Sequence, residues 1–102
     1  MNNPYEMLSR MNSIRSQMET LKAELRNLVA TGSAGAGMVE LSINGEYRVT
    51  KLEISDELYA MNDRKMLEVL IAGAFNDATE KLKELIEEKS RSLMAKELGM
   101  NI

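Results

Sequence analysis

Apolar residues recur from Met7 to Leu28 at alternating steps of four and three residues. They are Met7, Met11, Ile14, Met18, Leu21, Leu25 and Leu28. This spacing is a heptad pattern, and it predicts a long helix whose narrow apolar seam packs against another helix. Asn3 and Pro4 supply a cap and a first-turn proline. We therefore predict a first helix over residues 4–28, and its seam requires a partner.

Three short strands are predicted over residues 29–55. The glycine-rich stretch 29–37 indicates a weak first strand followed by a flexible turn. Apolar and polar residues then alternate up to Asn44-Gly45, which is a strong signal for a two-residue type I′ hairpin turn. The apolar parity of the return strand changes along its length, so we expect a β-bulge near Thr50 and Lys51.

A second long helix is predicted over residues 62–96, capped by Asn62 or Asp63 and preceded by a connection with about one helical turn. One face of this helix should cover the sheet. That face comprises Leu67, Ile71, Ala74, Phe75, Ala78, Leu82 and Leu85. We therefore predict one α+β domain over residues 1–102, built as long helix, three-stranded antiparallel meander and long helix, with a short tail at 97–102.

The opposite side of the second helix is also apolar in its first half, which is unusual for a helix on the outside of a two-layer domain. Both predicted helices are also far longer than the sheet. These features predict a symmetric homodimer with protruding helical arms. Its interface is predicted to contain Met66, Val69, Leu70, Gly73, Asn76 and Asp77. Asn76 and Asp77 would fix the register of the dimer by hydrogen bonds.

The residue types exclude most catalytic and metal chemistry. The chain has no Cys and no His, which removes thiol nucleophiles, zinc sites and the usual acid–base group. The glycine-rich segment 31–37 has no Gly-Lys-Ser/Thr ending and leads into a strand, so it is not a phosphate loop. The acidic side chains near Glu84 lie at ion-pair spacing from lysines. We expect no enzyme activity, cofactor, metal or small-molecule substrate.

Net charge and hydropathy indicate where the protein is located and which kinds of partner it has. The net charge of −3 gives no general reason to expect nucleic acid, and no apolar run is long enough to span a bilayer. We therefore expect a cytoplasmic protein without a membrane partner. Basic residues nevertheless fall on both predicted helices: Arg10, Arg15, Lys22, Arg26, Lys81, Lys83, Lys89, Arg91 and Lys96. In a dimer they could straddle a phosphate backbone, or they could simply keep mixed-charge helices soluble.

Three motifs in order give the sequence a family resemblance. They are Thr31-Gly32-x-x-Gly35-x-Gly37, Ile43-Asn44-Gly45 and Ala74-Phe75-Asn76-Asp77-Ala78. With their spacing, they resemble the YbaB/EbfC family of bacterial nucleoid-associated proteins over residues 7–92. The resemblance implies an α-β(3)-α fold, a tight homodimer with helical arms, and DNA binding that affects nucleoid organisation and gene expression. It transfers no DNA-contacting motif, so the basic residues above rest on charge and geometry alone.

Our leading hypothesis is a dimeric, non-enzymatic protein of the nucleoid that binds double-stranded DNA mainly through phosphates. The alternative hypothesis is a dimeric protein-interaction module whose methionine-rich arms hold a partner helix. Its contacts would be Met7, Met11, Met18, Met94 and Met100.

Overall fold

The structure is a computed structural model that describes residues 3–97 and Gly99. In chain order the elements are α1 (Pro4–Arg26), β1 (Val29–Ala34), β2 (Val39–Asn44), β3 (Val49–Ile54), α2 (Asp56–Ala60) and α3 (Arg64–Glu97). The strands form one antiparallel sheet in the order β1-β2-β3. The predicted α+β architecture of helix, meander and helix is confirmed.

Both long helices begin at polar caps. The Asn3 side chain accepts a hydrogen bond from the Tyr5 N–H at 2.8 Å, and α1 ends at Arg26 instead of residue 28. The Asp63 side chain accepts from the Met66 N–H at 3.1 Å. Of the two predicted caps Asp63 is therefore the one used, and Asn62, with a φ of 53°, lies in the turn before it.

Local residues also determine the end of α3 and the short connection between β3 and α3. Gly99 has a φ of 71° and its N–H donates to the Lys96 carbonyl at 3.2 Å, a left-handed termination that suits glycine. Residues 98 and 100–102 of the predicted tail lie outside the described residues. The predicted helical turn in the connection is α2, whose Ser55 side chain accepts from the Leu58 N–H at 3.1 Å. Leu58 is buried and anchors the connection to the core.

The β2–β3 hairpin lies where predicted, but its turn type differs from the prediction. The loop between the two strands has four residues, 45–48, and the residue with positive φ is Tyr47 at 62°. Its N–H donates to the Asn44 carbonyl at 2.9 Å. Gly45 is needed for a different reason, because a Cβ there would overlap the Leu25 carbonyl oxygen at the end of α1. The predicted bulge is confirmed: Ser42 pairs with Lys51 and Ile43 with Val49, which leaves Thr50 as the extra residue.

The core lies between α3 and the first two strands. Val39, Leu41 and Ile43 of β2 are at most 3% exposed and face Ala74, Ala78 and Leu82 of α3, which are fully buried. Small side chains on α3 let its backbone approach the sheet closely. A Cβ on Gly32 would overlap the backbone at Ala74 and Ala78. The predicted sheet-covering face of α3 is therefore confirmed.

The sector of α3 that contacts the sheet is wider than predicted. Leu70 packs against the core, and a Cβ on Gly35 would lie 2.9 Å from the Leu70 side chain. A Cβ on Gly73 would lie 3.4 Å from the Ala34 Cβ. Leu70 and Gly73 were predicted for a dimer interface on the side of α3 opposite the sheet. That placement of the two residues is wrong, because α3 lies along the edge strand β1 and both contact that edge.

Candidate nucleic-acid interface

Beyond the sheet, α1 and the end of α3 run side by side in opposite directions. The Lys89 ammonium lies 3.2 Å from Glu24 Oε2, although no described residue gives that buried oxygen a well-directed hydrogen bond. Farther out, Leu21 and Ile14 line a groove with Leu93 and Met94. We call residues 3–24 and 89–97 the two-helix extension. It makes the chain long and narrow, with dimensions of 70 × 25 × 15 Å.

The apolar seam of α1 divides into two halves along the helix. Leu21, Leu25 and Leu28, nearest the sheet, are partly buried. The other half is 53–57% exposed and comprises Met7, Met11, Ile14 and Met18. The predicted heptad seam therefore has an in-chain partner for its leucines, whereas its methionines and Ile14 face outward.

Charge is distributed unevenly between the extension and the rest of the chain. The extension holds six basic residues and four acidic ones, whereas the remainder holds seven basic and twelve acidic residues. A chain with a net charge of −3 therefore carries an extension of +2 and a body of −5. The overall pI hides this separation, which favours anionic ligands at the extension.

The nine predicted DNA-contacting residues fall into two groups. Three of them form ion pairs within the chain: Arg26 with Glu46 at 3.9 Å, Lys81 with Asp77 at 3.0 Å, and Lys89 with Glu24. Six are exposed and have no ion pair to another described residue: Arg10, Arg15, Lys22, Lys83, Arg91 and Lys96. Five of these six lie on the extension, and only Lys83 lies elsewhere. The extension is therefore the main concentration of unpaired cations.

Comparison with known proteins identifies the family. The chain matches the model of the YbaB/EbfC DNA-binding family over residues 1–98. It belongs to that family. Two relatives are the nucleoid-associated proteins EbfC of Borrelia hermsii (strain HS1 / DAH) and Borrelia turicatae (strain 91E135). The first is 37% identical over 92 residues, covering 90% of this chain and 93% of that protein. The second is 36% identical over 88 residues, covering 86% and 89%.

A solved structure confirms the fold of this YbaB/EbfC chain. It is the crystal structure of the uncharacterized protein HP0035 from Helicobacter pylori, with a TM-score of 0.73 and 19% sequence identity. The similarity covers 92% of this chain and 99% of that one. At this identity the comparison shows a shared α-β(3)-α fold.

The structure separates the six residues predicted for the interface of a YbaB/EbfC dimer into two groups. Met66, Val69 and Asn76 are exposed. Leu70, Gly73 and Asp77 are partly buried against the β1 edge of their own sheet. A contact between any of the six and a second copy stays a prediction.

Asp77 has two in-chain partners, of which sequence reasoning missed the Ser33 N–H. Its Oδ2 accepts from the Ser33 N–H and from the Lys81 ammonium, both at 3.0 Å. The Ser33 N–H, and secondarily Lys81, lower the pKa of the Asp77 carboxyl. Asp77 therefore ties α3 to the edge strand β1 of the same chain.

A second apolar surface was not predicted from the sequence. Val49 and Leu52 of β3 pair with Ile43 and Leu41, so they lie on the same face of the sheet as the core. They are nevertheless 51% and 45% exposed, because α3 packs on β1 and β2. The alternation of β3 was the available signal, but the sequence did not show how far across the sheet α3 would reach.

Two absences within the described residues limit other types of site. Within residues 3–97 and Gly99, no helix is long and apolar enough to cross a membrane. The same part of the chain contains no group of three or more acidic, Cys or His side chains placed to hold a metal ion.

Proposed function

We propose that this chain is a nucleoid-associated DNA-binding protein, that it acts as a homodimer in the bacterial cytoplasm, and that it contacts DNA mainly through phosphates. By this contact it influences nucleoid organisation and gene expression. The observation that carries the proposal is the concentration, on the extension of an otherwise acidic chain, of five exposed cations with no ion pair to another described residue. Membership of a DNA-binding family and similarity to nucleoid-associated proteins support it.

Phosphate contact explains why the pI need not be basic. Each phosphate neutralised by Lys or Arg releases counterions, and this release drives binding without reading the base sequence. No acidic residue in the described part of the chain forms an ion pair with these five cations. In a dimer each cation occurs twice, so affinity should fall steeply with salt and vary little with DNA sequence.

A homodimer would cover two exposed apolar surfaces that lie apart from the α1 seam. Val49 and Leu52 form one surface on β3, and Met66 and Val69 form another on α3. In a two-fold dimer, the α3 surface of one protomer would cover the β3 surface of its partner, and the reverse contact would follow by symmetry. Burial of these side chains provides a hydrophobic driving force for association. The two extensions would then protrude as arms.

A charge-matched pair of variants tests the DNA interface. In the first, Arg10, Arg15, Lys22 and Arg91 are replaced by Gln, which keeps helix propensity and removes four extension charges. In the control, Arg48, Lys51, Arg64 and Lys65 are replaced by Gln, which removes four charges outside the extension. At low salt we expect at least about a tenfold loss of duplex affinity and a shallower salt dependence for the first variant only.

Fluorescence anisotropy of a labelled duplex at two salt concentrations provides the measurement. Sedimentation of each protein checks that the variants keep the assembly state of the wild type. Equal losses in both variants would mean that net charge matters and the extension does not. Absence of wild-type binding at low salt contradicts the DNA proposal, and a wild-type monomer at micromolar concentration contradicts the dimer.

A further inference from the structure

The exposed half of the α1 seam continues into a groove between the two helices of the extension. The groove encloses about 400 Å³, and its apolar walls include Ile14, Met18, Leu21, Leu93 and Met94. Ile14, Met18 and Met94 are each more than half exposed. Methionine is flexible and polarisable, and it suits surfaces that adapt to a bound partner.

The spacing of the seam selects a helix as the occupant. Met7, Met11, Ile14 and Met18 repeat at heptad steps, the spacing that receives the apolar residues of another helix. They span three helical turns, about 16 Å of α1. This length is enough to receive the i, i+3, i+4 and i+7 anchors by which an amphipathic helix binds a groove, since those anchors span about 10 Å.

The charges beside the groove indicate which residues should flank the apolar residues of the bound helix. A second groove shares Ile14 and Met18 with the first, and it is also lined by Arg15, Lys22 and Glu19. The rim is therefore net positive, like the extension as a whole. A second copy of the extension would bring like charge against like charge, which opposes association. A helix with acidic flanks is complementary to the rim.

We propose that this groove binds an amphipathic helix of a partner protein, with apolar residues at heptad spacing and acidic residues on the flank that faces Arg15 and Lys22. The proposal goes beyond the proposed function, since helix binding requires no DNA. Arg15 and Lys22 belong to this rim and also to the cations assigned to DNA. The partner helix and DNA therefore exclude each other on the same extension.

A synthetic peptide tests the proposal directly. The probe is a labelled three-heptad helix with Leu at the seam positions and Glu on the flanks, and its control carries Lys in place of each Glu. Binding to the full chain is measured by fluorescence anisotropy without DNA, so it is independent of any DNA result. We expect saturable binding of the acidic peptide, at least about tenfold tighter than binding of the basic one.

Matched protein variants locate the site. The Ile14→Gln, Met18→Gln double variant should weaken peptide binding by at least about tenfold, while its helical circular dichroism stays as in the wild type. Met61→Gln is the control, because Met61 is as exposed as Met18, at 52% and 55%, but lies next to α2. It should leave the affinity unchanged.

Three results would overturn the proposal. One is equal binding of the acidic and basic peptides, and another is equal weakening by the groove variant and Met61→Gln. The third is a wild-type assembly larger than a dimer that disappears in the groove variant, since this would assign the groove to a second copy. In the supporting case, unlabelled acidic peptide also displaces a duplex from the wild type, and the basic peptide does not.

Discussion

The two halves of the α1 seam share one heptad pattern but differ in what covers them. Leu21, Leu25 and Leu28 are partly buried near the sheet, whereas the half that begins at Met7 is more than half exposed. A heptad pattern therefore reports that a helix can pack against another helix. It does not report whether that partner belongs to the same chain.

The length of α3 explains where the seam changes from covered to exposed. Glu24 lies opposite Lys89, and α3 continues for eight more residues to Glu97. At 1.5 Å per residue this adds about 12 Å, which reaches a point on α1 near Met18. The preceding turns of α1, including Met7 and Met11, extend past that point. The residue types follow the same division, with leucine in the covered half and mainly methionine in the exposed half.

The largest expected effect comes from breaking the anchor of the covered half. In Gly45→Ala, the new Cβ would overlap the Leu25 carbonyl, so the end of α1 must move off the β2–β3 hairpin. We expect a loss of about 2–3 kcal/mol in the free energy of unfolding, typical of overpacking at a rigid contact. Urea unfolding at one fixed protein concentration measures it, since a dimer's stability depends on concentration.

Glu46→Ala is the matched control for this change. Glu46 is the next residue in the loop, and its ion pair with Arg26 is long and exposed, so its loss should cost no more than about 0.5 kcal/mol. A Gly45→Ala protein as stable as Glu46→Ala would show that α1 is not held at this contact. The covered half of the seam would then be no more fixed than the exposed half.

The sequence predicted those parts of the fold that depend on local patterns. The start of α1, the strand order, the bulge at Thr50 and the sheet-covering face of α3 follow from caps and periodicity. The requirement for Gly45 could not be predicted, because it comes from a carbonyl 20 residues earlier in the chain. The open face of β3 depends on the lateral position of α3 over the sheet, which no local pattern specifies.

The candidate site shows the same division between local and tertiary information. The Asp77–Lys81 pair has four-residue helical spacing and is readable from the sequence. The Glu24–Lys89 pair joins distant segments and is not. Sequence reasoning therefore identified the basic residues but could not recognise the cations that pair with residues on other elements. The structure separates the two groups, and most of the predicted cations without an ion pair to a described residue lie on the extension.

A second prediction compares the two halves of the seam directly. Leu25→Ala removes a partly buried side chain and should cost about 1–2 kcal/mol, less than a fully buried leucine would. Met11→Ala removes an exposed side chain from the same seam and should change stability by no more than about 0.5 kcal/mol. Both variants introduce alanine into one helix, so helix propensity differs little between them.

Urea unfolding of both variants and the wild type decides this comparison. A cost for Met11→Ala equal to that of Leu25→Ala would mean that the exposed half is covered in solution, and a second copy would be the first candidate. Dilution of the protein would then reduce that cost. A cost confined to Leu25→Ala supports an open seam that is available to a partner helix.

The smallest expected effect concerns the polar tie between α3 and β1 in the covered region. The pKa of Asp77 is lower in the folded chain than in the unfolded chain, chiefly because of the Ser33 N–H. The ionised Asp77 carboxylate therefore stabilises the folded chain. This stabilisation is complete above the pKa of Asp77 in the unfolded chain, near pH 4, and is lost as the pH falls through its pKa in the folded chain. Asp77→Asn removes this charge-dependent part. Its melting temperature should lie below that of the wild type at neutral pH, and the difference should shrink as the solution is acidified below about pH 4.

Thermal melts across this pH range, with Glu84→Gln as the control, test the sign of the Asp77 effect. Glu84 is an exposed carboxylate on the same helix, so its replacement changes net charge equally without touching Ser33. A melting-temperature difference for Asp77→Asn that stays constant with pH would show that the carboxylate charge does not hold α3 against β1.

Convergence of the mutant and wild-type melting temperatures at low pH, for Asp77→Asn alone, would show that one charge helps to position α3 over the sheet. That position leaves the inner face of β3 open, so the charge of Asp77 would bear on the proposed dimer surface without contacting it.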